Sequence, residues 1–317
     1  MSINICLATD DNYVKYMSTA IVSILKNAKK EDNLHFYILC NKISNQAKKY
    51  IKSLKRFKNF DIDFLDMNIK DFKDFPAGGP HISNTTYFRY KIAELLPEVS
   101  KILYVDCDVI IRESLAPLFE TDLSEYFLAG VEDVGYYYGR DHNPEYIWRG
   151  FYINAGVLLI NLEAWRKNNI YSKLMDFTIK EADKIKIGDQ DVINQVCLNK
   201  IKPLDYKWNV QDSFYRAEPE RAYNPNCDLI AEAANNPAII HYTFVKKPWN
   251  CDYIPRVEDW NYYNNMRIGL VEKFSRFISK KVKSLIKALF SLRNSKDKTH
   301  KIITILGIKI KIKRKKA

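Results

Sequence analysis

The chain has 317 residues, of which 47% are hydrophobic and 28% charged, and carries a formal net charge of +12; this suffices for one large α/β domain plus a short appendage and argues against two full domains. The charge is segregated: residues 271–317 hold 16 Lys and Arg against only Glu272 and Asp297, a net of +14, while residues 1–270 hold 34 basic and 36 acidic side chains. A neutral body with a basic tail argues against a general nucleic-acid binder.

The six cysteines, Cys6, Cys40, Cys107, Cys197, Cys227 and Cys251, are far apart and show no C-x-x-C spacing. Neither a zinc knuckle nor a disulfide framework is expected, and reduced thiols suit a cytosolic compartment. The first ten residues lack a basic n-region and a long apolar stretch, and no run of about 18 apolar residues occurs in the chain. Neither a cleaved signal nor a membrane span is expected.

In chain order, Ile3 to Ala8 reads as a buried strand, followed by the polar Asp10-Asp11-Asn12 and an apolar-periodic helix from Tyr13 to Lys26. Leu34 to Leu39 is a second strand, Ser44 to Leu54 a helix and Phe60 to Phe64 a third strand, an alternation that predicts a parallel sheet. Lys101 to Val105 is a further strand, delivering Asp106-Cys107-Asp108 to the carboxyl edge, where ligands of such sheets sit. Gly156 to Leu162 is an apolar strand, with a helix from Ala164 onward. Asp189 to Leu198 reads as a helix with an acidic first turn, and Ala238 to Ile240 as a last core strand ending at His241.

From Val271, apolar residues at 271, 274, 277, 278, 282, 285, 286, 289 and 290 fall on one helix face and Lys, Arg and Ser mostly on the other. After a polar break at Asn294 to Lys298, Ile302 to Ile312 reads as strands around a possible turn at Gly307. No internal repeat is evident. The expected division is a catalytic domain over 1–270 and a basic amphipathic tail over 271–317. Such a tail suits an anionic membrane surface, with apolar residues among headgroups and ~1 kcal/mol per basic residue near the surface. The alternatives are packing on the domain or nonspecific RNA binding.

Side chains two apart in an extended segment share a face, so Asp106 and Asp108 can supply two oxygens to one hard divalent ion. A D-x-D pair is weak evidence by itself. Here it stands between Ile102-Leu103-Tyr104-Val105 and Val109-Ile110-Ile111, where unpaired charge is costly and a cation is the natural compensation. His241 is one of five histidines and, taken alone, more often structural than a ligand.

Six blocks occur in a recognisable order. They are Ala8-x-Asp10-x-Asn12-Tyr13, His81-Ile82-Ser83-x-x-Thr86-Tyr87-x-Arg89, Lys101-x-Leu103-Tyr104-x-Asp106-x-Asp108, Phe151-Tyr152-Ile153-Asn154-Ala155-Gly156-Val157, Asp189-Gln190-Asp191, and His241-Tyr242 with Lys247-Pro248-Trp249. Over residues 3 to 250 the chain resembles glycosyltransferase family 8, the retaining enzymes that include bacterial lipopolysaccharide galactosyl- and glucosyltransferases and the glycogenins. The lipooligosaccharide galactosyltransferases look most similar.

The resemblance implies a single Rossmann-like nucleotide-sugar-binding domain of the glycosyltransferase A type. It implies transfer of galactose or glucose from a UDP-sugar to a lipopolysaccharide or other glycan, with retained configuration; the tail, together with that acceptor class, places the expected protein in the cytoplasm, peripheral on the inner face of the cytoplasmic membrane. Asp106, Asp108 and His241 are implied ligands of Mn²⁺, with Mg²⁺ possible; their donor set suits either ion, and imidazole favours manganese. Lys247 matches a phosphate-contacting position, with a solvated surface lysine as the plain alternative. Ala8, Asp10, Asn12 and Tyr13 match uridine-binding positions, where Asp and Asn are otherwise usual helix caps. Cys107 lies in the same nucleotide-sugar set.

Arg89, Asn154, Asp189 and Gln190 match donor-hexose positions, with a plain helix cap as the alternative for Asp189. Gln190 falls near the reacting carbon, yet an amide is a poor nucleophile, so a front-face route is favoured, with Asp191 as the fallback nucleophile. His81 matches an acceptor-side position or packs under a loop. Where the family usually has glycine three residues after the metal histidine, this chain has Phe244. Two other functions remain: a module that binds UDP-sugar without turnover, and a self-glucosylating enzyme like the glycogenins.

Overall fold

Ile3, Ile5, Cys6 and Leu7 of strand β1 (Ser2–Thr9) are fully buried, as a strand covered on both faces requires. In the computed structural model, which describes residues 2–76, 84–137, 151–215, 225–243, 245–269, 290–294, 300–305 and 308–313, this strand is central. It lies parallel to β2 (Asn33–Cys40) on one side and to β4 (Lys101–Val105) on the other, with β3 (Asp61–Asp66) parallel outside β2.

Past β4 the direction reverses. β7 (Ile153–Asn161) runs antiparallel to β4 and to β6 (Leu128–Glu132), and β8 (Ile201–Pro203) closes the edge parallel to β6, giving the order β3-β2-β1-β4-β7-β6-β8. The alternation of strands and helices predicts the parallel half; the reversal leaves no mark in hydrophobic periodicity. The result is an α/β Rossmann-like fold.

A smaller sheet, in the order β5-β10-β9, is built from β5 (Val109–Ile111), β10 (Ile239–His241) and β9 (Val210–Gln211). β10 pairs antiparallel with β5 and parallel with β9. The chain passes from β4 into β5 through residues 106–108, so the D-x-D pair is the joint between the two sheets.

Helix Val14–Asn27 anchors that joint. Its Ser23 hydroxyl accepts from the Ile111 N–H at 2.9 Å, and its Asn27 amide donates to the Ile111 carbonyl at 3.0 Å. The predicted helix over 44–54 is an α-helix over Asn45–Lys52, capped by Ser44, that tightens to a 3-10 turn over Ser53–Arg56. The predicted strand over 156–162 starts three residues earlier, at Ile153, and the last core strand includes His241.

The chain divides into two compact units, Met1–Asn264 and Asn265–Ala317, against an expected boundary at 270. In the second unit β11 (Phe290–Asn294), β12 (His300–Ile305) and β13 (Ile308–Lys313) form an antiparallel sheet in sequence order. The strand reading of 302–312 therefore holds, while Phe290, expected to end a helix, begins a strand. The amphipathic helix expected from 271 to 289 and the turn at Gly307 lie outside the described residues. Among the described residues no helix is long and apolar enough to cross a membrane. Cys6, Cys40, Cys107, Cys197, Cys227 and Cys251 are all free thiols.

Candidate active site

The turn after β4 brings Asp106 and Asp108 to one point without needing strand alternation. The Asp106 N–H donates to the Gly156 carbonyl at 2.8 Å, continuing the ladder with β7, and the Tyr242 N–H donates to the Asp108 carbonyl at 3.0 Å. These two bonds fix the turn between β7 and the end of β10. His241 Nε2 then lies 3.7 Å from Asp106 Oδ2 and 3.4 Å from Asp108 Oδ1.

The remaining carboxylate oxygens are held by the protein. Asp106 Oδ1 accepts from Arg89 Nη2 at 3.1 Å and from the Tyr104 hydroxyl at 3.0 Å. Asp108 Oδ2 accepts from Lys247 Nζ at 2.6 Å, and Lys247 also donates to the Tyr242 carbonyl. Burial alone would raise the Asp108 carboxyl, but the Lys247 ammonium and His241 hold it well below the usual carboxylate range. Each carboxylate thus turns one free oxygen toward the imidazole.

The arrangement fits a divalent cation. Ligand atoms of Asp106, Asp108 and His241 lie within 4.8 Å of one another, and the 3.7 and 3.4 Å from His241 Nε2 to the two carboxylates suit atoms each roughly 2.0–2.3 Å from a shared ion. Gly156 gives the second observation: a Cβ there would fall 2.1 Å from His241 Cε1 and 2.7 Å from Asp106 Oδ2. The backbone of β7 forms the floor of the cradle, and only glycine leaves room for the ring.

Arg89 is buried and reaches into the same cradle from a 3-10 segment, Asn84–Lys91. Besides Asp106 it engages Asp189, with Nε 2.9 Å from Oδ2, donates to the Ala155 carbonyl, and lies 4.1 Å over the Tyr104 ring. Its guanidinium stays charged: burial works against this, but Asp189, Tyr104 and Asp106 outweigh it.

Asp189 is the first residue of helix Asp189–Val196, after Gly188 at φ 59°. Its Oδ1 accepts from the Thr86 hydroxyl, while its buried Oδ2 faces Arg89 without an aligned hydrogen bond. Burial pushes its carboxyl up to about 6, against the pull of Arg89.

Gln190 and Asp191 are buried and tightly engaged. Gln190 Oε1 accepts from the Ala155 N–H at 3.0 Å and from Asn154 Nδ2 at 3.2 Å; its Nε2 donates to Asp133 Oδ2 at 2.9 Å. Asp191 Oδ1 accepts from the Tyr152 hydroxyl at 2.6 Å, and its Oδ2 from the N–H groups of Lys186 and Ile187 at 2.7 Å each.

At the other side of the turn, Asp10 Oδ1 accepts from the N–H groups of Asn12 and Tyr13, both at 2.9 Å, which is the geometry of a cap. Asn12 is exposed, and Tyr13 is 41% exposed with its ring edge-on to Trp249 at 6.0 Å. The Cys107 thiol donates to the Ala8 carbonyl at 2.9 Å, tying the D-x-D turn to the end of β1. Burial keeps that thiol protonated.

Asp106, Asp108, His241, Lys247, Arg89 and Asp189 thus form one connected set, and Asn154 and Gln190 adjoin it. Asp191 is bonded to the Tyr152 hydroxyl and the backbone of Lys186 and Ile187. His81 and Phe244 lie outside the described residues. Sequence reasoning passed over Asp133 and Asn209. Asp133 carried a usable signal, since it follows the apolar strand Leu128–Glu132 as Asp106 follows Lys101–Val105; Asn209 carried none.

Comparison with known proteins agrees. The chain is 28% identical to General stress protein A of Bacillus subtilis over 251 residues, covering 78% of this chain and 87% of that protein. It is 32% identical over 268 residues to glycosyltransferase GlyA of Streptococcus pneumoniae, covering 83% of this chain but only 34% of that longer protein. Its fold matches galactosyltransferase LgtC, solved in complex with donor and acceptor sugar analogues, with a TM-score of 0.76 and 28% identity over 86% of this chain and 99% of LgtC. The family model for glycosyl transferase family 8 matches residues 4–252. With that match spanning most of the chain, and Asp106, Asp108 and His241 gathered where they could hold one metal ion, this protein is a glycosyltransferase belonging to family 8.

Proposed function

We propose that the chain transfers galactose or glucose from a UDP-sugar to a lipopolysaccharide or related glycan, with retention and with Mn²⁺ as cofactor. The observation that carries this reading is the convergence of Asp106, Asp108 and His241 on one point, with Lys247 beside it.

Mn²⁺ held by these three side chains supplies Lewis-acid neutralisation of the departing diphosphate. Lys247, already at the rim of the cluster, adds a fixed positive charge for the same leaving group. The buried Asp189 Oδ2, which accepts no aligned hydrogen bond, offers an acceptor for a hexose hydroxyl, and Arg89 holds it in place. Tyr13 presents an exposed ring at the uridine end.

The engagement of Asp191 supports a front-face route. Both of its oxygens are occupied by a hydroxyl and two backbone donors, so attack by Asp191 would first break three hydrogen bonds in a buried setting. Gln190, an amide with its oxygen held by the β7 backbone, steadies positive charge at the reacting carbon. The acceptor hydroxyl then enters on the face from which UDP leaves, giving its proton to a phosphate oxygen. Release of UDP from UDP-galactose or UDP-glucose in the presence of Mn²⁺ is the direct test. Asp108→Ala is expected to lower the rate by at least about 10²-fold; undiminished turnover in that variant would sink the reading.

The basic second unit supports attachment to anionic lipid at the inner face of the cytoplasmic membrane, where a lipid-linked acceptor would be met. Ile308 and Ile310 are 69% and 46% exposed.

A further inference from the structure

The three-ligand reading of the metal cradle does not say which nitrogen of His241 carries the proton. We infer that Asn209 is the positioning residue that fixes a hydrogen on Nδ1 of His241 and so reserves Nε2 for the metal. It acts as the last link of an amide chain whose direction is set by the backbone of β7. The inference rests on the proposed metal site for its purpose, but its geometry stands independently of any bound ion.

The direction follows from two backbone donors that cannot be reversed. The Gly156 N–H donates to the Asn154 side chain at 3.0 Å, so the atom it meets is Oδ1. Asn209 approaches that same oxygen at 3.0 Å and must do so with Nδ2. The Asn209 oxygen is thereby left for His241 Nδ1, 2.9 Å away, and an amide oxygen only accepts. Nδ1 therefore carries a hydrogen, and Nε2 is the nitrogen turned toward Asp106 and Asp108, its lone pair available whenever the ring is neutral.

The other end is fixed in the same way. The Ala155 N–H identifies the atom it meets on Gln190 as Oε1, so Nε2 faces the Asp133 carboxylate at 2.9 Å. Asn154 Nδ2 joins the two halves, 3.2 Å from Gln190 Oε1 and 3.3 Å from Asp133 Oδ2. Asp133, Asn154, Gln190, Asn209 and His241 are all buried, with Asn209 at 0% exposure. Reversing any amide would set like groups face to face where water cannot rescue them. Facing two carboxylates, Nε2 is compensated by its own proton or by a cation that displaces that proton, and with Nδ1 committed to Asn209 the chain prepares Nε2 as the ligand atom.

Two substitutions separate the roles. Asn209→Asp keeps an acceptor for Nδ1–H but cannot donate to Asn154; Asn209→Leu loses both functions. Long-range ¹H–¹⁵N spectra of the metal-free parent at about pH 8, above the ordinary imidazole range, with His241 assigned through His241→Gln, should show hydrogen on Nδ1. Titration with Mn²⁺, followed by electron paramagnetic resonance of the free ion, should show about 10–100-fold weaker binding in Asn209→Leu. Asn209→Asp, which keeps the acceptor for Nδ1 but sets an oxygen against Asn154 Oδ1, should fall between the parent and Asn209→Leu.

A parent ring with hydrogen on Nε2 and none on Nδ1 overturns the inference, as does an Asn209→Leu chain that folds and binds Mn²⁺ as tightly as the parent. Should the leucine variant fail to fold, the parent spectrum decides. A parent that binds no Mn²⁺ counts against the metal site, and the tautomer measurement then still decides the role of Asn209.

Discussion

Gly156 shows how much of the site depends on an atom that is missing. The two nearest contacts of a would-be Cβ are the His241 ring and the free oxygen of Asp106, both inside van der Waals distance. Gly156→Ala must push the ring away from the carboxylates, while Asn209 holds it from the other side. Because displacement of about 1 Å in a catalytic group costs on the order of 10²-fold in rate, we expect Gly156→Ala to lose at least that much turnover, with near-normal circular dichroism. Activity within a few-fold of the parent, or a collapsed spectrum, would contradict this account.

Asp189 carries the pH dependence. Its folded pKa of about 6 lies above its ordinary value of 3.8. A raised pKa means that this group's contribution to stability is fully present below about pH 4 and is lost as pH rises through about 6. The expected loss is ~3 kcal/mol at neutral pH, an order-of-magnitude value. Asp189→Asn mimics the protonated form, so urea unfolding should show the variant gaining on the parent between pH 4 and 7.5. A difference that does not change with pH would rule out titration of Asp189 in this range.

At the scale of elements, the site is assembled by joints. The turn at 106–108 leaves the large sheet and enters the small one, and helix Val14–Asn27 holds the entry strand through Ser23 and Asn27. Ser23→Ala leaves the buried Ile111 N–H without its acceptor, at a cost of about 1–3 kcal/mol. Thermal or urea unfolding should register that loss, and an unchanged midpoint would mean that the joint is held elsewhere. Strand and helix identities along β1 to β4 were legible because each carries its own apolar period. The antiparallel insertion of β7 and β6 was not, since pairing direction is a choice between partners and no segment encodes it alone.

At the scale of the whole molecule, the charge is divided between a near-neutral first 270 residues and a tail of net +14. If the tail is the attachment device, the full chain should float with vesicles containing anionic lipid at low salt, and the chain ending at residue 270 should not. Screening weakens the attraction as the Debye length falls from ~10 Å at 0.1 M to ~3 Å at 1 M. Equal flotation of the two chains would move the membrane contact elsewhere, and retention of RNA without flotation would favour the polyanion reading.

The linear sequence by itself determined the fold class, the strand that delivers Asp106 and Asp108, and the order of the six motif blocks, because local periodicity and residue chemistry are properties of short segments. Only the tertiary structure decided that Gly156 is the floor beneath His241 and that Asp191 is fully engaged. It also decided that Asn209, 55 positions from Asn154 and 32 from His241, stands between them. Those facts depend on which groups are brought within 3 Å after folding, and the direction of a hydrogen-bond chain exists only once both of its ends are in place.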